Sequence, residues 1–197
     1  MRDITLPPAL LTPADLLLHT RAGVFGAAAE EDALLQQYIA AATRAVETAL
    51  SRRLMTRNVL IEARAPFHEF WFPVAPISDV LEITTIDPDG AEISIDPGAF
   101  VLFAASTSPR LIRRDGFAWP DRFANAPIML TVSAGEGADP EQVAPQYRQM
   151  VIQLAAHWAQ NREPVVVGEV AATVPYALAM QFAQERFIAQ DNSVYCP

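Results

Sequence analysis

The chain has 197 residues, 51% of them apolar, enough for one or two compact domains that bury about 70% of the unfolded surface. Its formal charge at pH 7 is −9 and all 14 of its basic residues are arginine, which argues against a protein that grips nucleic acid by neutralising phosphates. Cys196, its single cysteine, excludes an internal disulfide and suits a reducing compartment, and no apolar run is long enough to span a membrane.

Near the N-terminus, Pro7, Pro8, Pro13 and Asp15 interrupt the leucines and break any signal-peptide core. Thr12, Pro13 and Asp15 read as an N-cap, a proline at the first helical position and an acid at the third, so a short helix should begin there. A longer helix follows over about residues 30–53. Leu35, Ile39, Ala42, Val46 and Leu50 form its apolar stripe, while Gln36, Arg44, Glu47 and Arg52 face outward. Acids at positions 30–32 open it and Arg52 with Arg53 close it, as the helix dipole favours.

From about residue 57 the period becomes alternating, in RNVLIEARA, EFWFPV, DVLEITTI, AEISI, AFVLF and PIMLTVSAG, which predicts strands. Asp87-Pro88-Asp89-Gly90 should turn a hairpin, and Asp96-Pro97-Gly98 should end its returning strand. Helix resumes at about 143–162 and, after Pro175, at about 176–190. In the first of these, Tyr147, Val151, Leu154 and Trp158 recur at helical spacing with Val143 and Met150. Trp158 can lie against Arg162 one turn later.

Segregated helices and strands make this an α+β protein, with terminal helices forming a helical bundle around an inserted antiparallel β module. The expected divisions are 1–56 for the N-terminal helices, 57–137 for the β module, 138–190 for the C-terminal helices and 191–197 for a tail. The structural anchors are Trp158, Arg162 and Tyr147 in the helices and Trp71 and Trp119 in the β module. Trp158→Ala should cost roughly 3–5 kcal/mol.

Candidate chemistry fails on spacing. His157 shares a helix face with Asn161, while Glu163 points to the opposite side, and no second imidazole stands one turn away as a helical zinc site requires. The DPDG turn has its glycine too early for a calcium loop, and Gly98 stands where a bidentate glutamate is needed. SAGEGADP lacks the third glycine of a dinucleotide fingerprint, with Pro140 in its place. No Gly-x-Ser-x-Gly elbow exists, and His19 and His68 lie in unrelated segments. No catalytic, metal or cofactor site is assigned. Residues 110–123, RLIRRDGFAWPDRF, form the locally basic stretch. Arg110, Arg113, Arg114 and Arg122 there are candidates for a polar interface or channel surface, against the alternative of a strand edge guarded by charge.

The segments LTPADLLLHTR, LLQQYIAAATRAVETALSRRLMTRNV, PVAPISDVLEITTIDPDG, AWP, VSAGEG, QMVIQLAAHWAQNREPVVVG and VPYALAMQF together resemble, in order and over nearly the whole chain, the head–tail connector (adaptor) proteins of long-tailed phages and phage-like gene transfer agents. The resemblance implies a non-enzymatic virion structural protein assembled in the bacterial cytoplasm and placed in the neck of a phage-like particle. It implies a ring of about 12 copies under the portal protein, continuing the DNA channel. A stopper or other neck or tail protein would dock on it, with DNA only passing through and no membrane involved. An acidic lining lets DNA slide without sticking, and a closed ring needs head-to-tail contacts between copies. By the same resemblance the portal contact lies in residues 187–197, with Phe187 and Tyr195 as candidates. The alternatives are a stopper or tail-completion protein, an enzyme using Asp87, Asp89 and Asp96 with Arg113 or Arg114, and a monomeric ligand-binding β module.

Overall fold

A computed structural model describes residues 1–20, 29–64, 66–87, 89–104, 108–119, 126–161, 165–166, 169–170 and 175–187. The protein is α+β and divides into two compact units. One comprises Met1–Pro7, Ser51–Ala138 and Phe187–Pro197, and the other Pro8–Leu50 and Asp139–Arg186.

In the β unit, strands β1 (Arg2–Asp3), β2 (Arg57–Ala63), β4 (Ile77–Ile86), β5 (Glu92–Ile95) and β8 (Ile128–Ala134) make an antiparallel sheet of order β1-β2-β8-β4-β5. Alternation in β2 and β8 fixes their register, because a one-residue slip would turn every inward side chain to the other face, whereas β4 meets β8 with register shifts between Ile77 and Asp79 and between Val80 and Glu82. Val59, Ile61 and Ala63 of β2 and Ile128, Leu130, Val132 and Ala134 of β8 are all buried. They pack in one core with Phe67, Phe70, Phe72, Phe100 and Leu111, drawn from or beside the second sheet. That sheet has three strands, β3 (Glu69–Trp71), β7 (Arg110–Arg113) and β6 (Phe100–Phe103), in the order β3-β7-β6. β7 therefore lies in the middle, not at a charged edge, and its alternation sends Leu111 inward at 1% exposure between Arg110 and Ile112.

The β4–β5 hairpin turns as its sequence predicts. Asp87 Oδ1 accepts from the backbone N–H of Asp89 at 2.9 Å and of Ala91 at 2.8 Å, and Gly90 takes a φ of 87° that suits glycine. A closer constraint acts at Gly135, just past β8, where φ is 143° and a Cβ would stand 2.4 Å from the Thr56 backbone Cα. Only glycine lets these two backbones approach so closely.

In the helical unit, α1 (Pro13–Thr20) starts at the expected cap. Thr12 Oγ1 accepts from the Asp15 N–H at 3.3 Å, and Asp15 Oδ2 accepts from the Thr12 N–H at 2.8 Å, a reciprocal box. α2 (Ala29–Leu50) buries Leu35, Ile39, Ala42, Val46 and Leu50 as one stripe. α3 (Pro145–Gln160) packs on α1 and α2, and α4 (Tyr176–Glu185) packs on α2. Two-residue strands β9 (Val165–Val166) and β10 (Glu169–Val170) pair antiparallel.

Several expectations are corrected. α2 ends at Leu50, where Ser51 turns out of the helix with φ 54°, so Arg52 and Arg53 lie beyond it and its last turn carries no base. Glu47, expected on the outer face, is 1% exposed. α3 begins at Pro145, because a proline supplies no N–H and suits the first helical turn. α4 stops at Glu185 rather than near 190. β1 was not signalled by periodicity, which two residues cannot display. The residues of the expected 191–197 tail lie outside those described.

Candidate functional site

The carboxylates of the enzymatic alternative serve turns. Asp87 caps the β4–β5 turn, while Asp96 Oδ1 accepts from the Gly98 N–H at 2.9 Å. These two lie at opposite ends of β5, roughly 15 Å apart by strand rise. Among the described residues no three His, Cys, Asp or Glu side chains group as metal ligands do. His157 Nδ1 lies 3.2 Å from Asn161 Nδ2, whose amide also donates to the His157 carbonyl at 2.9 Å.

The arginine stretch resolves into separate roles. Arg110 pairs with Glu69 across β7 and β3 at 2.9 Å, and its guanidinium lies 5.0 Å from the Trp71 ring centroid and 5.1 Å from that of Phe103. It therefore binds neighbours within its own sheet rather than standing as a bare cation. Arg114 is exposed, and its Nε donates to the Phe100 carbonyl at 3.2 Å. Arg113 is half-buried and has no ion-pair partner among the described residues. Arg122 lies outside the described residues.

The aromatic anchors differ from one another. Trp119 Nε1 donates to the Phe67 carbonyl at 2.8 Å, and its ring meets Phe67, Phe100 and Phe117 at 5.4–5.6 Å between centroids. Trp71 is half-buried beside Arg110. Tyr147 is 4% exposed, and its hydroxyl meets Glu185 Oε2 of α4 at 3.3 Å. Trp158 is half-buried, outside the core that Met150, Val151, Leu154, Ala155 and Ala159 fill. Arg162, its expected partner, lies outside the described residues, as does Tyr195. Phe187, expected at an external contact, is 6% exposed and so has no large face to offer.

A buried charge cluster ties the N-terminus to the β unit. Asp3 Oδ1 accepts from Arg53 Nε and Nη2, both at 3.1 Å, and Oδ2 accepts from Arg57 Nη1 at 3.2 Å. Both arginine side chains are 5% exposed. Asp3 thus gives two desolvated cations a shared counter-charge, which a strand as short as β1 needs to stay docked.

Two surfaces of the helical unit were not foreseen. A groove of about 420 Å³ runs between α1 and α3, with Leu11, Leu18, Pro145 and Ile152 as its apolar lining. Asp15, His19, Arg148 and Gln149 supply its polar rim. Hydrogen bonds from the Thr12 backbone and hydroxyl hold the Asp15 carboxyl below its usual range against the opposing effect of burial, and the Arg148 charge adds to the lowering. The second surface is the outer face of α4. Leu178 is that helix's buried residue, while Tyr176 is 80% and Met180 46% exposed one turn apart. The signal was present as Tyr176-x-x-x-Met180, but an alanine-rich helix shows apolar residues on both faces and periodicity does not say which is covered.

No family model and no curated protein matches the chain. Solved structures share its fold end to end. A chain from the neck of an empty gene transfer agent particle, computed with C6 symmetry, superposes with a TM-score of 0.78 at 23% identity over 97% of both chains. A chain from the virion of a native gene transfer agent particle does so with a TM-score of 0.77 at 24% identity, again over 97% of each. A chain from the neck of a native gene transfer agent particle, computed with C12 symmetry, gives a TM-score of 0.75 at 22% identity and 97% coverage of both.

Proposed function

We propose that this protein is a structural component of the neck of a phage-like particle: an adaptor that forms a ring under the portal protein, continues the DNA channel and docks the next neck or tail component. The observation that carries this reading is the likeness over 97% of the chain, both units included, to chains of gene transfer agent necks. A local resemblance would match one unit; here the β unit and the helical unit are matched together.

The physical chemistry is compatible. At a charge of −9 the chain repels phosphate, as the wall of a DNA conduit should. Arg110 is engaged with Glu69, Trp71 and Phe103, so Arg113 and Arg114 are the described arginines that remain as interface candidates. The proposed portal contact moves beyond the buried Phe187, to residues 188–197 with Tyr195. A ring of about 12 copies accords with the C12 symmetry of one related neck. The role needs no catalysis and no cofactor, and the acids Asp87 and Asp96 are consumed in turn formation. A stopper or tail-completion protein is the second reading; the four helices among the described residues favour the adaptor, since stoppers tend to be mostly β.

The test is disruption of the gene in the producing cell, followed by electron microscopy of the particles. Separate DNA-filled or leaking heads and free tails should accumulate, and the supplied protein should restore joining. Intact tailed particles in the absence of the protein would refute the neck role.

A further inference from the structure

We infer that the α1–α3 groove of one subunit receives the outer face of α4, led by Tyr176 and Met180, from a second copy of the same chain. This inference rests on the ring proposed above and names the contact that would propagate it.

A closed ring of identical subunits needs a head-to-tail interface, made by two different and complementary surfaces on each copy. The helical unit carries one of each kind. The groove is concave, about 420 Å³, with Leu11, Leu18, Pro145 and Ile152 along it, and Leu18 is left 83% exposed. The α4 face is convex and projects an aromatic ring and a thioether one turn apart, the side-chain types that dominate when pockets are filled across interfaces.

The two surfaces do not meet within one subunit, since Leu18 is 83% and Tyr176 80% exposed. On α3, Pro145, Arg148, Gln149 and Ile152 share the face toward the groove. Tyr147, which reaches Glu185 at the end of α4, points about 150° away from that face by the helical step. α4 packs on α2, and its last residue touches α3 on the side away from the groove, which leaves the outer face of α4 open to a second copy.

Charge selects the same pairing. Two copies of a chain with net charge −9 repel wherever acidic surfaces face each other. The only charged residue of α4 is Glu185, which is turned toward Tyr147. Its outer face carries Tyr176, Met180 and Ala183 with Gln184 and no charge at all. The groove rim balances Asp15 with Arg148. A neutral knob entering a balanced groove avoids the repulsion between acidic surfaces. One tyrosine buries about 150–250 Å², well short of the ~1,200 Å² of a stable pair, so this contact holds a ring that the particle templates and leaves free subunits weakly associated.

The experiment places one cysteine on each surface, Leu18→Cys with Met180→Cys, in a Cys196→Ser background expressed in the producing cell. Both positions are exposed, so neither replacement opens the core. Purified particles are oxidised and resolved by non-reducing electrophoresis. The expected result is loss of the monomer band into a ladder of dimers, trimers and higher multiples, with each single-cysteine variant remaining monomeric. Particles that contain the double variant in normal amount yet yield only monomer would overturn the inference while leaving the neck role standing. A cross-link to a different protein would overturn it in favour of another neck component in the groove. Absence of the unmodified protein from particles would remove the neck reading and this contact with it. Tyr176→Asp supplies an independent measure: its incorporation into particles should fall severalfold while its thermal unfolding is unchanged, and normal incorporation would count against the contact.

Discussion

Removing the Asp3 carboxylate should destabilise the β unit more than any other change in its first strand. Asp3→Ala leaves Arg53 and Arg57 facing each other at 5% side-chain exposure without the oxygens that accept from both at 3.1 and 3.2 Å. Breaking a buried pair by deleting one partner costs about 3–5 kcal/mol. Two features reduce that figure: the Asp3 side chain is itself 19% exposed, and each guanidinium keeps a backbone acceptor, the Arg52 carbonyl at 3.3 Å for Arg53 and the Met55 carbonyl at 3.2 Å for Arg57. The expected loss is therefore about 2–4 kcal/mol. Asp3→Asn keeps the shape and one acceptor and should lose roughly half as much. Urea unfolding followed by tryptophan emission measures this, using a Trp158→Phe background so that Trp71 and Trp119 of the β unit report. With a slope of about 1–3 kcal/mol per molar urea, the midpoint should fall by roughly 1–2 M. A shift equivalent to less than about 0.5 kcal/mol would refute the argument, because it would mean that the arginines find other compensation when the carboxylate leaves.

Other expectations follow from single contacts. Gly135→Ala places a Cβ 2.4 Å from the Thr56 Cα at a φ of 143°, so strain and backbone displacement together should cost about 3 kcal/mol or more, visible as a lower Tm. Asp15→Asn should destabilise α1 at neutral pH by about 1 kcal/mol through loss of the capping box. Because the folded Asp15 carboxyl lies below its unfolded value, its stabilisation is fully present above the ordinary carboxylate range and is lost as pH falls through the lowered folded value. Wild type and variant should converge in acid unfolding measured from pH 6 downward. Phe72→Ala, at 0% exposure, should cost about 3–5 kcal/mol, whereas the half-buried Trp158→Ala should cost clearly less in the same denaturation assay.

Much of the fold is legible in the sequence where periodicity is long enough to have one meaning. β2, β8 and the β4–β5 hairpin show strict alternation or a strong turn signal, and α2 repeats its apolar residues at intervals of three and four. What escapes is set by tertiary partners. Two residues of β1 display no period, and their place is fixed by Asp3 finding Arg53 and Arg57, 50 and 54 positions away. Glu47 and both of those arginines are buried although charge alone suggests an outer face. β7 reads as a guarded edge because Arg110, Arg113 and Arg114 flank it, yet Arg110 is absorbed by Glu69 and two aromatic rings. Of the interaction surfaces, the basic stretch is visible in composition. The α1–α3 groove depends on two helices meeting and has no counterpart along the chain.

The most direct measurement of the central claim is a reconstruction of intact particles from the producing cell by electron cryomicroscopy, with the neck resolved. The expected result is a symmetric ring of this chain directly beneath the portal, enclosing a continuous channel. A neck whose density is fully occupied by other proteins, with this chain absent from purified particles by mass spectrometry, would contradict it.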